Sequence, residues 1–239
     1  FRLSNALMSI GNVYAEIKDA KKTNEYYDKA EKLIIAMNDS MQLSSIYDSK
    51  GITYDKLEKY DSALIYLKKA YNISVLLNDT EYAMNSLSNI GLTYKHQFKT
   101  AEALKSFDSV KSYFVRTNAP VDRMAALYNN IGATNAQAGN YITALDAFNT
   151  SIDYGKKAGS PTIEMENYRN MSDMYGTMKN FERQAFYLKK YYNIKDSIFT
   201  IDSRNQLTQL EADYQVEKKN KEIIKQDAEL IKQKNQRNI

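Results

Sequence analysis

A short stretch built on glycine and tyrosine returns along this chain at a nearly fixed interval. Gly11, Gly51, Gly91, Gly132 and Ser172 stand 40, 40, 41 and 40 residues apart. Tyrosine follows three residues later at Tyr14, Tyr54, Tyr94 and Tyr175, and a bulky residue precedes at Ile10, Ile90, Ile131 and Met171. Self-similarity at this period means stacked supersecondary units, each unable to bury its apolar face alone. Such a chain is a solenoid whose stability comes from each unit and its neighbours.

Composition says which unit. The 239 residues hold two prolines and eight glycines, with 43% apolar and 26% charged residues, which fits helices that bury a sizeable core. In the unit from Ser44, Tyr47, Gly51 and Tyr54 fall at i, i+4 and i+7, one face of a helix. After Lys56-Leu57-Glu58-Lys59, the residues Ala63, Leu67 and Ala70 again share one face. Two amphipathic helices with a short turn make an antiparallel hairpin. Gly51 and Ala63 let its helices approach closely, Tyr54 is a wedge between them, and Ala70 lets the next hairpin stack. Breaks with capping residues follow at Asn38-Asp39-Ser40, Asn78-Asp79-Thr80, Asn118-Ala119-Pro120 and Gly159-Ser160-Pro161. Both prolines sit where a helix starts, the tolerated position.

This pattern resembles the tetratricopeptide repeat (TPR), whose first helix carries a bulky residue, Leu-Gly and Tyr, and whose second carries Ala, a bulky residue and Ala. Matching residues include Gly11, Tyr14, Tyr27 and Ala30; Tyr47, Gly51, Tyr54, Ala63 and Leu67; Gly91, Tyr94, Ala103 and Phe107; Tyr128, Gly132, Ala144 and Phe148; and Tyr168, Tyr175 and Leu188. Thr23, Asn135, Ser172 and Gln184 depart from it. The resemblance covers 1–199 and implies an all-α fold, a right-handed TPR superhelix (an α-solenoid of five hairpins). The repeats lie near 1–38, 39–78, 79–118, 119–159 and 160–199, each helix about one turn longer than the family's minimal unit. Phe1 falls inside the first helix, so the chain reads as a fragment or processed form.

From Arg204 to Asn238 there is no glycine or proline, and a helix of that length reaches about 50 Å. Thr200-Ile201-Asp202-Ser203 reads as a break before it, making 200–239 a separate long C-terminal helix. Leu207, Tyr214, Lys221, Ala228 and Asn235, with Leu210, Glu217, Ile224, Ile231 and Asn238, form a weak heptad seam. The segment is either a coiled-coil strand, giving a homodimer, or a capping helix that projects into solvent. Seven basic against three acidic residues from Lys218 onward account for the whole net charge of +4, leaving 1–217 neutral. That balance argues against a general nucleic-acid binder.

The stretch Tyr192–Phe199 followed by Leu210-Glu211-Ala212-Asp213-Tyr214-Gln215-Val216-Glu217 is similar to the junction in TPR sensor proteins of Bacteroidetes-type bacteria. There a TPR array leads through a helix to one membrane span and a histidine-kinase or helix-turn-helix output domain. The resemblance implies the sensor half of a two-component kinase or regulator, extracytoplasmic, with a membrane span just after Ile239. No apolar run of about 18 residues lies within the chain. Two other readings stay open: a free-standing TPR scaffold for protein partners, and a cytoplasmic regulatory arm of a DNA-binding protein, which suits the basic tail.

Enzyme chemistry finds no constellation. The chain has no cysteine, so thiolate zinc, disulfides and cysteine nucleophiles are excluded. His96 is the single histidine, which rules out a catalytic triad and a multi-histidine metal site. No glycine-rich phosphate loop or calcium-loop spacing occurs, and neither cofactor nor metal is expected. The informative series is amide. Two residues before the glycine position stand Asn89, Asn130 and Asn170, with Ser9 and Ser49 in the first two repeats, and Asn5, Asn12, Asn85 and Asn129 lie near. In this fold the first helices line the concave surface, so these positions form a row at the repeat spacing. Each asparagine offers both donor and acceptor, and a row can hydrogen-bond the backbone of an extended peptide whatever its side chains. Peptide-holding TPR proteins use asparagine at this place, so the resemblance points the same way. Asp48, Asp55, Lys95, Arg169 and Asp173 complete the expected groove. The competing expectation is that the asparagines bond neighbouring helix termini or water.

Overall fold

Stacked hairpins follow from the period. The computed structural model describes residues 2–237, with side chains from 3 to 201 and a scattering beyond. Its helices are α1 (Arg2–Glu16), α2 (Ala20–Ala36), α3 (Ser40–Lys56), α4 (Tyr60–Leu76), α5 (Thr80–His96), α6 (Thr100–Arg116), α7 (Val121–Gln137), α8 (Tyr141–Lys157), α9 (Pro161–Thr177) and α10 (Phe181–Arg237). Consecutive helices pack antiparallel, and among the described residues there is no strand. Helices α2 to α9 each run 17 residues.

Each junction turns on one residue in the left-handed region, two positions past the helix end. These are Lys18, Asn38, Glu58, Asn78, Phe98, Asn118, Gly139, Gly159 and Lys179. At Glu58 the amide bonds the Asp55 carbonyl (2.9 Å) while Lys59 bonds that of Tyr54 (2.9 Å), the paired Schellman bonds that satisfy a helix's last carbonyls. Asp19, Asp39 and Asp79 then cap the helices that follow, each accepting from a backbone N–H three residues on at 3.0 Å. Pro161 occupies the first turn of α9, and Pro120 is the cap of α7.

Within a hairpin the glycine admits the bulky residue of the second helix. A Cβ on Gly51 would lie 2.4 Å from Leu67 Cγ, and one on Gly91 2.7 Å from the Phe107 ring. Leu67, Phe107 and Phe148 are fully buried, as are Ala63, Ala103 and Ala144. Departures from the pattern are absorbed by hydrogen bonds. Buried Thr23 bonds the Asp19 carbonyl at 2.8 Å, Asn135 that of Ile131 at 2.9 Å, and Ser172 that of Gln184 at 3.1 Å.

The expected break at Thr200-Ile201-Asp202-Ser203 does not occur. Helix α10 runs 57 residues without interruption, about 85 Å. No glycine or proline interrupts it, and two hydroxyls just before the expected break bond within the helix. Ser197 donates to the Asn193 carbonyl (2.9 Å) and Thr200 to that of Asp196 (2.8 Å). The second helix of the last repeat and the C-terminal helix are therefore one element. Most of the expected heptad seam, Leu207 to Asn238, lies outside the described side chains.

Candidate functional site

Successive odd-numbered helices touch one another, whereas successive even-numbered ones do not. The array therefore curves towards the odd row, and α1, α3, α5, α7 and α9 line the concave face. The asparagine positions lie on these helices, half-buried along the face.

Two members of the row bond, across the repeat spacing, the residues that precede Ser49 and Asn130. Asn89 donates through Nδ2 to both carboxylate oxygens of Asp48 (3.1 and 3.3 Å), and Asn170 donates to Asn129 Oδ1 (2.8 Å). Burial raises the Asp48 pKa, against the lowering effect of the Asn89 bond. Asp55 meets His96 Nδ1 at 2.8 Å, and Arg123 donates to Glu81 (2.6 Å) and to Asn85. Lys95 is held below the usual lysine pKa by burial, opposed by the charge of Asp55. Arg169 and Asp173 are exposed and 3.9 Å apart. Asn89 and Asn170 thus bond side chains in the middle of the neighbouring odd helices, not the helix termini of the competing expectation.

Asn130 differs. Its side chain has no hydrogen-bond partner among the described residues, and it lines a hollow of about 290 Å³ between α7 and α9 with Asn129, Glu166, Arg169 and Asn170. A second hollow of about 380 Å³ shares Asn170 and adds Gln137, Asp173 and Thr177. The structure thus brings together Asn129, Asn130, Asn170, Arg169 and Asp173. Ser49 lies apart, in a hollow of about 430 Å³ between α1 and α3 with Asn12, Glu16 and Lys56. Asp48, Asp55, Asn89 and Lys95 serve the α3–α5 joint. Glu166 and Gln137 were missed by sequence reasoning, although Glu166 lies four residues before Asn170 and therefore on its face.

No group of acidic or histidine side chains among the described residues could hold a metal ion, and no helix among them is long and apolar enough to cross a membrane. The face offers amides, a few charges and shallow hollows, which is the chemistry of recognition.

Residues 44–74, spanning α3 and α4, match the family described as tetratricopeptide repeat. A 91-residue stretch is 29% identical to the uncharacterized protein ycf37 of Guillardia theta, covering 38% of this chain. The chain matches 48% of that relative's length. BtubC of P. vanneervenii superposes with a TM-score of 0.70 at 17% identity, over 82% of this chain and 81% of that one. A Rap conjugation gene regulator of plasmid pLS20, solved with the Phr* peptide, superposes with a TM-score of 0.66 at 16% identity, over 80% of this chain and 53% of that one. Together with the hairpin stack, these likenesses give the fold as a TPR-type superhelix extended by one long helix.

Proposed function

We propose that this TPR-type solenoid is a non-catalytic recognition module that holds an extended peptide, free or part of a protein, along its concave face. The carrying observation is Asn130, an amide with no side-chain partner among the described residues, set in a hollow beside Asn129 and Asn170. One amide placed this way can donate to the C=O and accept from the N–H of a backbone while leaving its side chains unread. Arg169 and Asp173 beside it supply charges of both signs for termini or charged side chains. The structural likeness to a Rap regulator bound to the Phr* peptide supports the same reading.

The module is read as the sensor of a two-component kinase or regulator, extracytoplasmic, with a membrane span beyond Ile239 and a homodimer through α10. The continuity of α10 supports it. Because the last repeat and the C-terminal helix are one rod, a change in curvature of the array moves the far end of α10 without an intervening joint. A free-standing scaffold shares the groove and lacks this output.

The test uses a mixture of capped random decapeptides and mass spectrometry of what the chain retains. Asn130→Ala should lower retention at least fivefold and leave the thermal midpoint within about 1 °C, because no internal bond is lost. Asn89→Ala and Asn170→Ala should lower both, since each removes a bond between repeats. Retention unchanged when Asn89, Asn130 and Asn170 are all replaced by alanine would remove the amide row as a binding device.

A further inference from the structure

We propose a second recognition site, on the flank formed by the even-numbered helices, that accepts an aromatic side chain from an acidic segment of a partner protein. The reason is a ring missing from a repeated pattern. Tyr26, Tyr66 and Tyr187 occupy one position of the second helix in repeats one, two and five. Each lies flat on the recurring tyrosine of its own first helix. Tyr26 stacks on Tyr14 at 5.4 Å, Tyr66 on Tyr54 at 5.3 Å and Tyr187 on Tyr175 at 5.5 Å, with planes within 14° of parallel. Three residues on, Lys29 lies over Tyr26 at 5.1 Å, Lys69 over Tyr47 at 5.0 Å and Lys190 over Tyr168 at 4.9 Å, each beside its stack.

The third repeat keeps the platform and lacks both the covering ring and the lysine beside it. Tyr94 is present, but Ser106 and Ser109 stand where the tyrosine and lysine belong. A hollow of about 400 Å³ opens there, floored by Leu87, Ile90, Tyr94 and Ser106. In the second repeat the counterparts of Leu87, Ile90 and Tyr94 are Tyr47, Lys50 and Tyr54, and all three surround the Tyr66 ring at 5.0 to 5.9 Å. The hollow is thus the place of one aromatic ring, and its volume falls in the range of small-ligand sites. The fourth repeat offers no parallel, because Asn135 and Ala147 replace both members of the stack.

Charge says what carries the ring. Lys68 and Lys105 line the hollow, and neither has a carboxylate within ion-pair distance among the described residues. Lys68 and Lys99 reach 5.9 and 6.0 Å from the centre of the Tyr94 ring. One repeat earlier, the counterpart of Lys68 is Asp28, which is spent on Lys50. The crevice has changed sign and is open, which suits an aromatic residue flanked by aspartate or glutamate.

The probe is acetyl-Asp-Glu-Tyr-Glu-Asp-amide, titrated into the 239-residue chain by calorimetry. Saturable binding should weaken about tenfold when the probe's tyrosine becomes alanine. It should be lost in Ser106→Tyr, which lets the chain fill the hollow with its own ring. The exposed pair Lys68→Glu with Lys105→Glu, which leaves the core untouched, should weaken it at least tenfold. Asn130→Ala should leave it unchanged, which separates this site from the concave groove. Equal binding of the alanine probe, or no loss in either flank variant, would overturn the proposal. So would loss in Asn130→Ala, and N-acetyl-tyrosinamide binding as tightly as the peptide would overturn the assignment to a partner segment.

Discussion

Lys50 stands where the other repeats carry Ile10, Ile90, Ile131 and Met171, and it is 1% exposed. Two carboxylates of α2 hold it, Asp28 at 2.9 Å and Glu31, and the Glu31 side chain also accepts from Tyr47 at 2.9 Å. Burial alone would lower the Lys50 pKa, but its bonds to Glu31 and Asp28 hold it above the usual value. Burial, with Glu31, pushes Tyr47 up to about 12. Both folded-state values are raised, so both contributions are complete below the unfolded values near pH 10 and fade as pH rises through the folded ones. Urea unfolding should show stability falling between about pH 10 and 12, and Tyr47→Phe with Lys50→Met should flatten that slope. An equally steep slope in the double variant would place the alkaline sensitivity elsewhere. The repeat pattern exposes Lys50 as an exception, yet its burial was not legible. Only the spacing of Asp28 and Glu31 on the facing helix, which lies across the fold, makes a buried lysine tolerable. The amides were legible as a row, but their bonding was not, because Asp48 and Asn129 reach them only through the 41-residue offset between neighbouring odd helices.

Helix boundaries were read well wherever the chain changes residue type, as at Asn78-Asp79 and Gly159-Ser160-Pro161, and badly at 200–203. A cap-like run ends a helix only when the backbone turns after it, and nothing in α10 forces that turn. The junctions show what does. Each requires one left-handed residue, a conformation that costs most residues about 1–2 kcal/mol relative to glycine. Phe98 takes it at φ 60° with its side chain 76% exposed. Phe98→Gly should therefore raise stability by about 1 kcal/mol, read as an increased thermal midpoint with an unchanged helical circular-dichroism signal. A lowered midpoint would mean that the Phe98 ring makes contacts outweighing its backbone strain. Lys18, Glu58 and Lys179 share the geometry and should respond in the same direction.

Across the whole molecule the joints are unequal. Helices α4 and α5 pack along more of their length than α2 with α3 or α6 with α7. The α6–α7 joint also carries the single four-residue junction, Thr117–Pro120, the source of the one 41-residue spacing. In a solenoid, stability is a sum of unit and neighbour terms, so weak joints are where it opens first. Native-state hydrogen exchange should resolve three blocks, α1–α2, α3–α6 and α7 to the first turns of α10, with the middle block slowest. A smooth gradient from one end to the other would contradict that division. Arg123, bonded from α7 back to Glu81 and Asn85 of α5, bridges one of these joints on the concave face, where a bound peptide would bear on it.

The uniformity of the other junctions reaches beyond this one chain. Eight of the nine are three residues long and turn on the same backbone conformation. The chain reverses in the same way at each, although the helices so joined pack over unequal lengths. An in-frame duplication or loss of one forty-residue block would thus rejoin turns of matching geometry. Span is then an inheritable quantity separable from surface chemistry: descendants of such a gene can lengthen or shorten what they embrace while keeping the residues that touch it.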